Sequence, residues 1–203
     1  MSVPLTISTA SPVKPPIAEA CSLLTPPDSP KLHTKAKQLP KTTHWPAKIR
    51  VGDHECVSSP VPWSLFKQYV DAHTLDPLGR SPATQTAYEA HKKRVTAEFG
   101  TMAEYLTKHA LADFLAQPTD PEVLGPQDFT FRRNDFPYSI GDGVEHWVLW
   151  CRKRLQPGFA PPEEAVRVIE ERFGKEVEWR YFVNPVAKQS VPQLSHAHVF
   201  VQQ

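Results

Sequence analysis

The chain has 203 residues and a formal net charge of +1, and this length predicts one domain with an additional segment. The charge is unevenly distributed, +5 over residues 1–50 and −4 over the remainder, and neither part has the strongly basic character that nucleic-acid binding usually needs. Its three cysteines are widely spaced and form no Cys-x-x-Cys pair, which argues against a disulfide framework and a thiolate zinc site. No apolar run approaches the ~20 residues of a membrane helix, so we expect no membrane partner and a cytoplasmic location, with the nucleus left open.

The first 62 residues are rich in proline. They hold eleven of the 22 prolines, their only aromatic residue is Trp45, and residues 1–50 carry seven Lys or Arg side chains against two acids. Such a stretch buries too little apolar surface to offset the entropy of ordering. We predict a disordered, basic leader over residues 1–62 and a single α+β domain over residues 63–203.

Helical patterns open the predicted domain. Residues 62–70 carry apolar side chains at the spacing of a short amphipathic helix. Ser81-Pro82 begins a second helix that Gly100 ends. Thr101 and Glu104 form a capping box for a third helix that extends to Leu115.

Strand patterns dominate the second half. Residues 129–131 and 144–150 are rich in branched and aromatic side chains, and residues 176–183 alternate. A helix over residues 161–173 lies between the last two of these segments. With a final strand over residues 196–201, this order predicts an α+β fold: an antiparallel sheet with helices packed on one face and an N-terminal helical subregion.

The final strand carries the most distinctive chemistry. Alternation places His196, His198 and Phe200 on one face, with the two imidazoles about 7 Å apart at ~3.3 Å per residue. His146, on the strand over residues 144–150, can add a third imidazole. Four roles stay open: structural histidines, a metal site that Asp135 completes, acid–base or nucleophilic chemistry on a phosphate, and non-catalytic binding of a ligand or protein.

Neighbouring polar residues predict the ligand contacts. Amide and hydroxyl groups upstream of the histidines can donate hydrogen bonds to phosphate oxygens, and two arginines, Arg132 and Arg133, can supply positive charge. The predicted partner is a small anionic or nucleotide ligand; the residues identify no cofactor and no oligomeric state. The predicted ligand-binding residues are Asn184, Gln189, Ser190, Arg133, Asn134 and Asp135.

Six short motifs follow one another along the predicted domain. They are Arg133–Tyr138, His146–Trp150, Trp179–Phe182, Asn184-Pro185, Gln189–Val191 and His196–Val201. In this order they resemble the fungal family named N-acetylglucosamine-induced protein 1, a domain family of unknown function. The resemblance covers residues 63–201 and implies no mechanism, because the family's name describes induction and not chemistry.

The stretch from residue 138 to residue 201 also resembles, more distantly, the histidine-triad nucleotide hydrolases and transferases. This resemblance implies a histidine-triad-like fold and a phosphoester hydrolase or transferase. His198 would then be the nucleophile, His196 and His146 would orient it, and Asn184 and Ser190 would bind the phosphate.

The sequence departs from the histidine-triad pattern at three places. Phe200 stands where that pattern has its third histidine, and a phenyl ring cannot protonate a leaving group. Ala187-Lys188 stand where a glycine pair is usual, and residues 192–195 lengthen the turn before His196.

Overall fold

The computed structural model describes residues 46–203, which lie within one compact unit. Most of the predicted leader therefore lies outside the described residues. Its last part forms an antiparallel hairpin of Lys48–Val51 (β1) and His54–Val57 (β2). Cys56 and Val57 are fully buried, so ordered structure begins before residue 63. The strands have four residues each, too few to stand out from the proline-rich composition around them.

The first two helices begin and end where the sequence predicts. Trp63–Asp71 forms α1 and Pro82–Phe99 forms α2. The Ser81 hydroxyl caps α2 by accepting the Thr84 N–H at 3.2 Å, and Gly100 ends it at φ 85°, a conformation that favours glycine. Within residues 46–203, no helix combines the length and the apolar character needed to cross a membrane.

The third predicted helix is divided into three parts. Met102–Tyr105 (α3) leads into a π-helical turn, Leu106–Ala110, which is followed by Ala112–Ala116 (α4). Thr101 caps the helix, since its hydroxyl accepts the Glu104 N–H at 3.0 Å. The Glu104 carboxylate accepts from that same hydroxyl at 3.0 Å, which is not the reciprocal backbone bond of the predicted capping box. A π-helical turn is rare and often lies near a functional site. We call residues 101–116 the helical cover.

The main sheet has four antiparallel strands. Phe129–Arg133 (β3), Val144–Cys151 (β4), Trp179–Phe182 (β5) and Ser195–Gln202 (β6) are arranged in the order β3-β4-β6-β5. The fifth helix, Glu163–Phe173 (α5), connects β4 to β5. The predicted α+β class with an antiparallel sheet is confirmed.

Both faces of the main sheet are covered by helices, whereas the sequence pattern predicted cover on one. On one face Ala197, Val199 and Val201 pack against α5. On the other, which we call the histidine face, Phe200 packs against α1, and Val148 and Trp150 pack against the helical cover. All six residues His196–Val201 are buried. Histidines at every second position suggest that one face of the strand is exposed to solvent. The sequence pattern therefore does not reveal that helices cover this face as well.

We predict that Phe200→Ala destabilises the domain by about 3–5 kcal/mol, the usual cost of emptying a buried aromatic site. Phe200 is fully buried, and its ring centroid lies 4.0 Å from that of His146 and 4.5 Å from that of Phe66. Urea unfolding measures the change. Val123→Ala, at a side chain 59% exposed, is the control and should stay within about 0.5 kcal/mol of wild type. Equal effects of the two substitutions would contradict this assignment of the core.

Candidate functional site

The register of the two central strands brings all three histidines to one face. Across β4 and β6, Trp150 pairs with His196, Val148 with His198 and His146 with Phe200. His146 and His198 are therefore diagonal neighbours. Nε2 of His146 lies 2.9 Å from Nδ1 of His198, and both side chains are buried. The facing arrangement expected from the sequence is thus met for this pair.

The proton positions in this pair follow from one backbone group. The Tyr138 N–H donates to Nδ1 of His146 at 3.0 Å. A neutral imidazole carries one N–H, so the proton of His146 is on Nε2 and is donated to Nδ1 of His198. The proton of His198 is consequently on its own Nε2.

Asn184 ends this chain of hydrogen bonds. Nδ2 of Asn184 lies 2.9 Å from Nε2 of His198 and 3.4 Å from the hydroxyl of Tyr138. Two donors cannot share one hydrogen bond, so the Nε2–H of His198 requires the Asn184 amide in its other orientation, with the oxygen toward the ring as acceptor. Nε2 of His198 therefore has no lone pair to offer an incoming substrate. We refer to Tyr138 N–H, His146, His198 and Asn184 as the buried relay.

Burial keeps the relay imidazoles uncharged. Desolvation, with the positive charge of Arg80 as a smaller cause, holds the pKa of His146 well below its usual value near 6.5. Desolvation is also the main cause of the low pKa of His198, with further contributions from His146, His196 and Arg80. A neutral imidazole is the state that the relay's hydrogen bonds require.

His196 differs from its neighbour two residues away. Its Nδ1–H donates to the carbonyl oxygen of Leu194 at 2.8 Å, which leaves the lone pair on Nε2. Within residues 46–203 no side chain donates a hydrogen bond to that atom. Burial lowers the pKa of His196, and the hydrogen bond to Leu194 acts in the opposite direction. His196 is thus the imidazole with an accepting nitrogen on the pocket lining.

A pocket of roughly 140 Å³ lies between the histidine face, α2 and the helical cover. Aromatic rings form much of its wall. The polar part comes from arginines, the histidines His91, His196 and His198, and the smaller residues Asn134, Asp135 and Ser190. The π-helical turn borders it through Leu106. We call this the histidine pocket. Its aromatic lining residues are Tyr88, Tyr105, Phe136 and Trp150.

Two of the arginines are held by neutral groups. Arg80 donates from Nε to the carbonyl of Phe136 at 3.0 Å, and its guanidinium lies 4.1 Å from the ring centroid of Tyr88. Arg132 donates to the carbonyl of Ala110 at 2.8 Å. The ion pairs within residues 46–203 use other arginines. Backbone carbonyls thus position these two charges without neutralising them.

Most of the predicted ligand-binding residues line the histidine pocket. Arg133 and Asp135 are exposed residues at its border. The Arg133 guanidinium pairs with Glu145 at 3.1 Å and lies on the other face of the sheet, because Arg133 is in register with Trp147. Asn134 also lines the pocket, but its side-chain oxygen accepts the N–H of Phe136 at 3.0 Å and so shapes the loop.

The remaining predicted residues are divided between the pocket and its surroundings. Ser190 lines the histidine pocket and also an adjoining cavity, whereas Gln189 lines only the latter and donates to the carbonyl of Asn184 at 2.8 Å. His146 and Asn184 belong to the buried relay behind the pocket wall. The structure therefore separates the predicted histidine cluster into a lining part and a buried part.

Sequence reasoning missed Arg80 and the backbone of Tyr138. Arg80 follows the turn over residues 76–79 and has no periodic partner in the sequence. It joins the site only because α2 and the loop over residues 134–138 meet there. A backbone N–H has no signature in a sequence, although Tyr138 itself belongs to one of the six ordered motifs.

The residues proposed for a metal site do not assemble one. Among the described residues there is no group of three or more His, Cys, Asp or Glu side chains placed to hold a metal ion. Nε2 of His146 points at Nδ1 of His198 at 2.9 Å, so these nitrogens engage each other rather than a common centre.

Comparison with known proteins identifies the family. Residues 62–202 match the family described as "Protein of unknown function (DUF3605)". The chain belongs to this family. A similar protein, "Uncharacterized protein YPL067C" of Saccharomyces cerevisiae, is 29% identical over 174 residues, covering 74% of this chain and 83% of that protein. The solved structure titled "Crystal Structure of HTC1" is 26% identical with a TM-score of 0.53, covering 70% of this chain and 85% of that one.

We predict that lowering the pH from 7.5 to 5.5 destabilises this DUF3605 domain. A histidine whose pKa is lower when folded binds fewer protons in the folded state, so acid favours unfolding. The stabilisation is complete above the unfolded pKa near 6.5 and is lost progressively below it. Each relay histidine contributes a slope of up to about 1.4 kcal/mol per pH unit.

Urea unfolding at several pH values tests this, with His146→Gln as the variant and His109→Gln, at an exposed histidine, as the control. The His146 variant should be less stable at pH 7.5 and should show a shallower dependence on pH. The control should keep the wild-type slope. A slope unaffected by His146→Gln would rule out this source of acid sensitivity.

The proton positions can be read directly. Long-range ¹H–¹⁵N spectra of histidine-labelled protein should place the proton on Nε2 in His146 and His198, and on Nδ1 in His196. These assignments follow from the Tyr138 N–H and the Leu194 carbonyl. A proton on Nδ1 of His198 would instead free its Nε2, as a nucleophile there requires.

Proposed function

We propose that this DUF3605 protein binds a small organic anion, most readily a phosphate ester, in the histidine pocket. The observation that carries the proposal is the pair Arg80 and Arg132, held by carbonyl oxygens beside an aromatic-walled pocket. A guanidinium with no carboxylate partner is a strong recognition group for phosphate or carboxylate.

The composition of the lining favours an anion. Two guanidinium groups, those of Arg80 and Arg132, serve the pocket, and Asp135 is the one carboxylate that the described residues contribute to its lining. The Arg133 guanidinium is engaged by Glu145 on the other face of the sheet, so two positive charges less that of Asp135 leave the lining with one net positive charge. The positive field of Arg80 also reaches the relay, where it helps to lower the pKa of His146 and His198.

The aromatic wall favours an organic ligand over a bare inorganic ion. Trp150, Phe136 and Tyr105 present ring surfaces around the pocket, and small-molecule sites commonly combine apolar walls with a few placed polar groups. Ser190, exposed at the rim, can donate a hydrogen bond to an anionic oxygen. The π-helical turn adds support, since such turns concentrate near functional sites.

A second candidate function is phosphoester chemistry at His196. Its Nδ1–H is held by the Leu194 carbonyl, and a hydrogen bond of this kind orients an imidazole for nucleophilic or general-base work at the other nitrogen. The remote resemblance to the histidine-triad enzymes would place the nucleophile at His198 instead. The hydrogen bond between His198 and Asn184 favours His196 for that role and assigns His198 to the relay.

The binding proposal predicts that Arg132→Gln weakens binding about tenfold or more, since a charge-assisted hydrogen bond contributes about 1.5–3 kcal/mol. Titration calorimetry with hexose and N-acetylhexosamine 6-phosphates, nucleoside monophosphates and inorganic phosphate measures it. Arg172→Gln is the matched control, because Arg172 lies over Trp147 and Phe173 on the opposite side of the sheet, and it should leave affinity unchanged. Absence of binding to every probe at millimolar concentration would overturn the proposal.

Hydrolysis of the same esters separates the two candidate functions. If His196 acts as a nucleophile, His196→Ala abolishes turnover, while His198→Phe lowers stability and keeps measurable turnover. If the site only binds, wild type and both variants show background hydrolysis while wild type still binds. Loss of turnover in the His198 variant alone, with its fold intact, would return the nucleophile to His198.

A further inference from the structure

We infer that the ligand of this protein is elongated and carries an acidic group at each end, lying across two adjoining cavities. This inference rests on the proposed function, because one acidic group occupies the histidine pocket. It adds a second recognition site for the other group, on the far side of Arg80.

The second cavity has a volume of roughly 370 Å³. It lies between the β1–β2 hairpin, the first half of α2 and the loop over residues 185–190. Its lining is largely polar, in contrast to the aromatic wall of the histidine pocket. The polar and charged side chains at its outer part are His54, Glu55, Lys92, Lys188 and Gln189. We call it the lysine cavity.

The two cavities share a boundary. Arg80, Tyr88 and Ser190 line both of them. The guanidinium of Arg80 stacks on the ring of Tyr88, which fixes a positive charge at the junction. A ligand can therefore extend from one cavity to the other past a shared cation, and need not leave the protein surface.

The far end of the lysine cavity offers one cation to a ligand. Lys92, on α2, is exposed and forms no ion pair among the described residues. Lys188 is paired with Asp76 at 2.6 Å, and Glu55 is the single carboxylate that the described residues place in the lining. Lys92 is thus the available cation for a second acidic group, with Arg80 between it and the histidine pocket.

Arg80 and Lys92 also lie on the way into the site from the hairpin side. His54 of β2 is occupied by Glu89 of α2 at 3.1 Å, so the hairpin and α2 are joined there. The joined hairpin and α2 both contribute to the lining of the lysine cavity, through His54 and Lys92 respectively. The geometry selects ligands by the separation of their charges and not only by their number.

Titration calorimetry of the full chain with matched probes tests the inference. Hexose 6-phosphate is compared with hexose 1,6-bisphosphate, and nucleoside 5′-monophosphate with nucleoside 3′,5′-bisphosphate and nucleoside 5′-diphosphate. We expect a bisphosphate with separated groups to bind about tenfold more tightly than its monophosphate. The nucleoside 5′-diphosphate, whose phosphates are adjacent, should bind like the monophosphate.

Lys92→Ala should remove most of that advantage and leave monophosphate affinity unchanged. Lys93→Ala is the matched control, since Lys93 is the next residue of α2, is exposed, and does not line the cavity. If monophosphates bind but separated bisphosphates bind no better, or if Lys92→Ala has no effect on them, the inference is overturned and the proposed function stands. If no phosphate ester binds at millimolar concentration, both are overturned.

Discussion

The backbone N–H of Tyr138 is the constraint on which the candidate site depends. It has one proton to donate and donates it to Nδ1 of His146 at 3.0 Å. Every later hydrogen bond in the relay, through His198 to Asn184, then has one possible direction. In a buried setting an unsatisfied polar group costs more than the net gain from a typical hydrogen bond. The loop over residues 134–138, both central strands and the end of β5 are therefore held together by one continuous set of bonds.

Because of this constraint, two histidines on one strand carry their protons on different ring nitrogens. His198 donates from Nε2 into the protein, whereas His196 donates from Nδ1 to Leu194 and keeps its Nε2 lone pair. Phe200, the next residue on the same face, is fully buried with its ring centroid 4.0 Å from that of His146. Within five residues of one strand, His196 thus lines the pocket, His198 belongs to the relay, and Phe200 lies in the apolar core. A pattern of alternating histidines alone does not distinguish these three environments.

Much of the fold follows from local patterns in the sequence. The serine cap and terminal glycine delimit α2, and alternation places Ala197, Val199 and Val201 opposite the histidines, as the structure confirms. The π-helical turn and the cover over the histidine face depend on tertiary packing, which periodicity does not report. In the site, the grouping of His196, His198 and Ser190 could be expected from the chain, but Arg80 could not. Arg80 reaches the site because the residues just before α2 contact the loop at Phe136, which lies more than fifty residues later in the chain.

Two different parts of the chain cover the two ends of the histidine face. Toward Phe200, α1 seals the sheet with Phe66, and Phe182 of β5 completes an apolar cluster. Toward Trp150 the cover is the helical segment with its π-helical turn, whose carbonyl at Ala110 is bonded to Arg132. His198 lies at the boundary between the two halves. Because Arg132 joins the edge strand β3 to the cover, a movement of the cover would displace a charge of the pocket while leaving the relay intact. The hydrogen bond that ties Arg132 to the cover and those of the relay are thus separate sets, and His198 both belongs to the relay and lines the pocket.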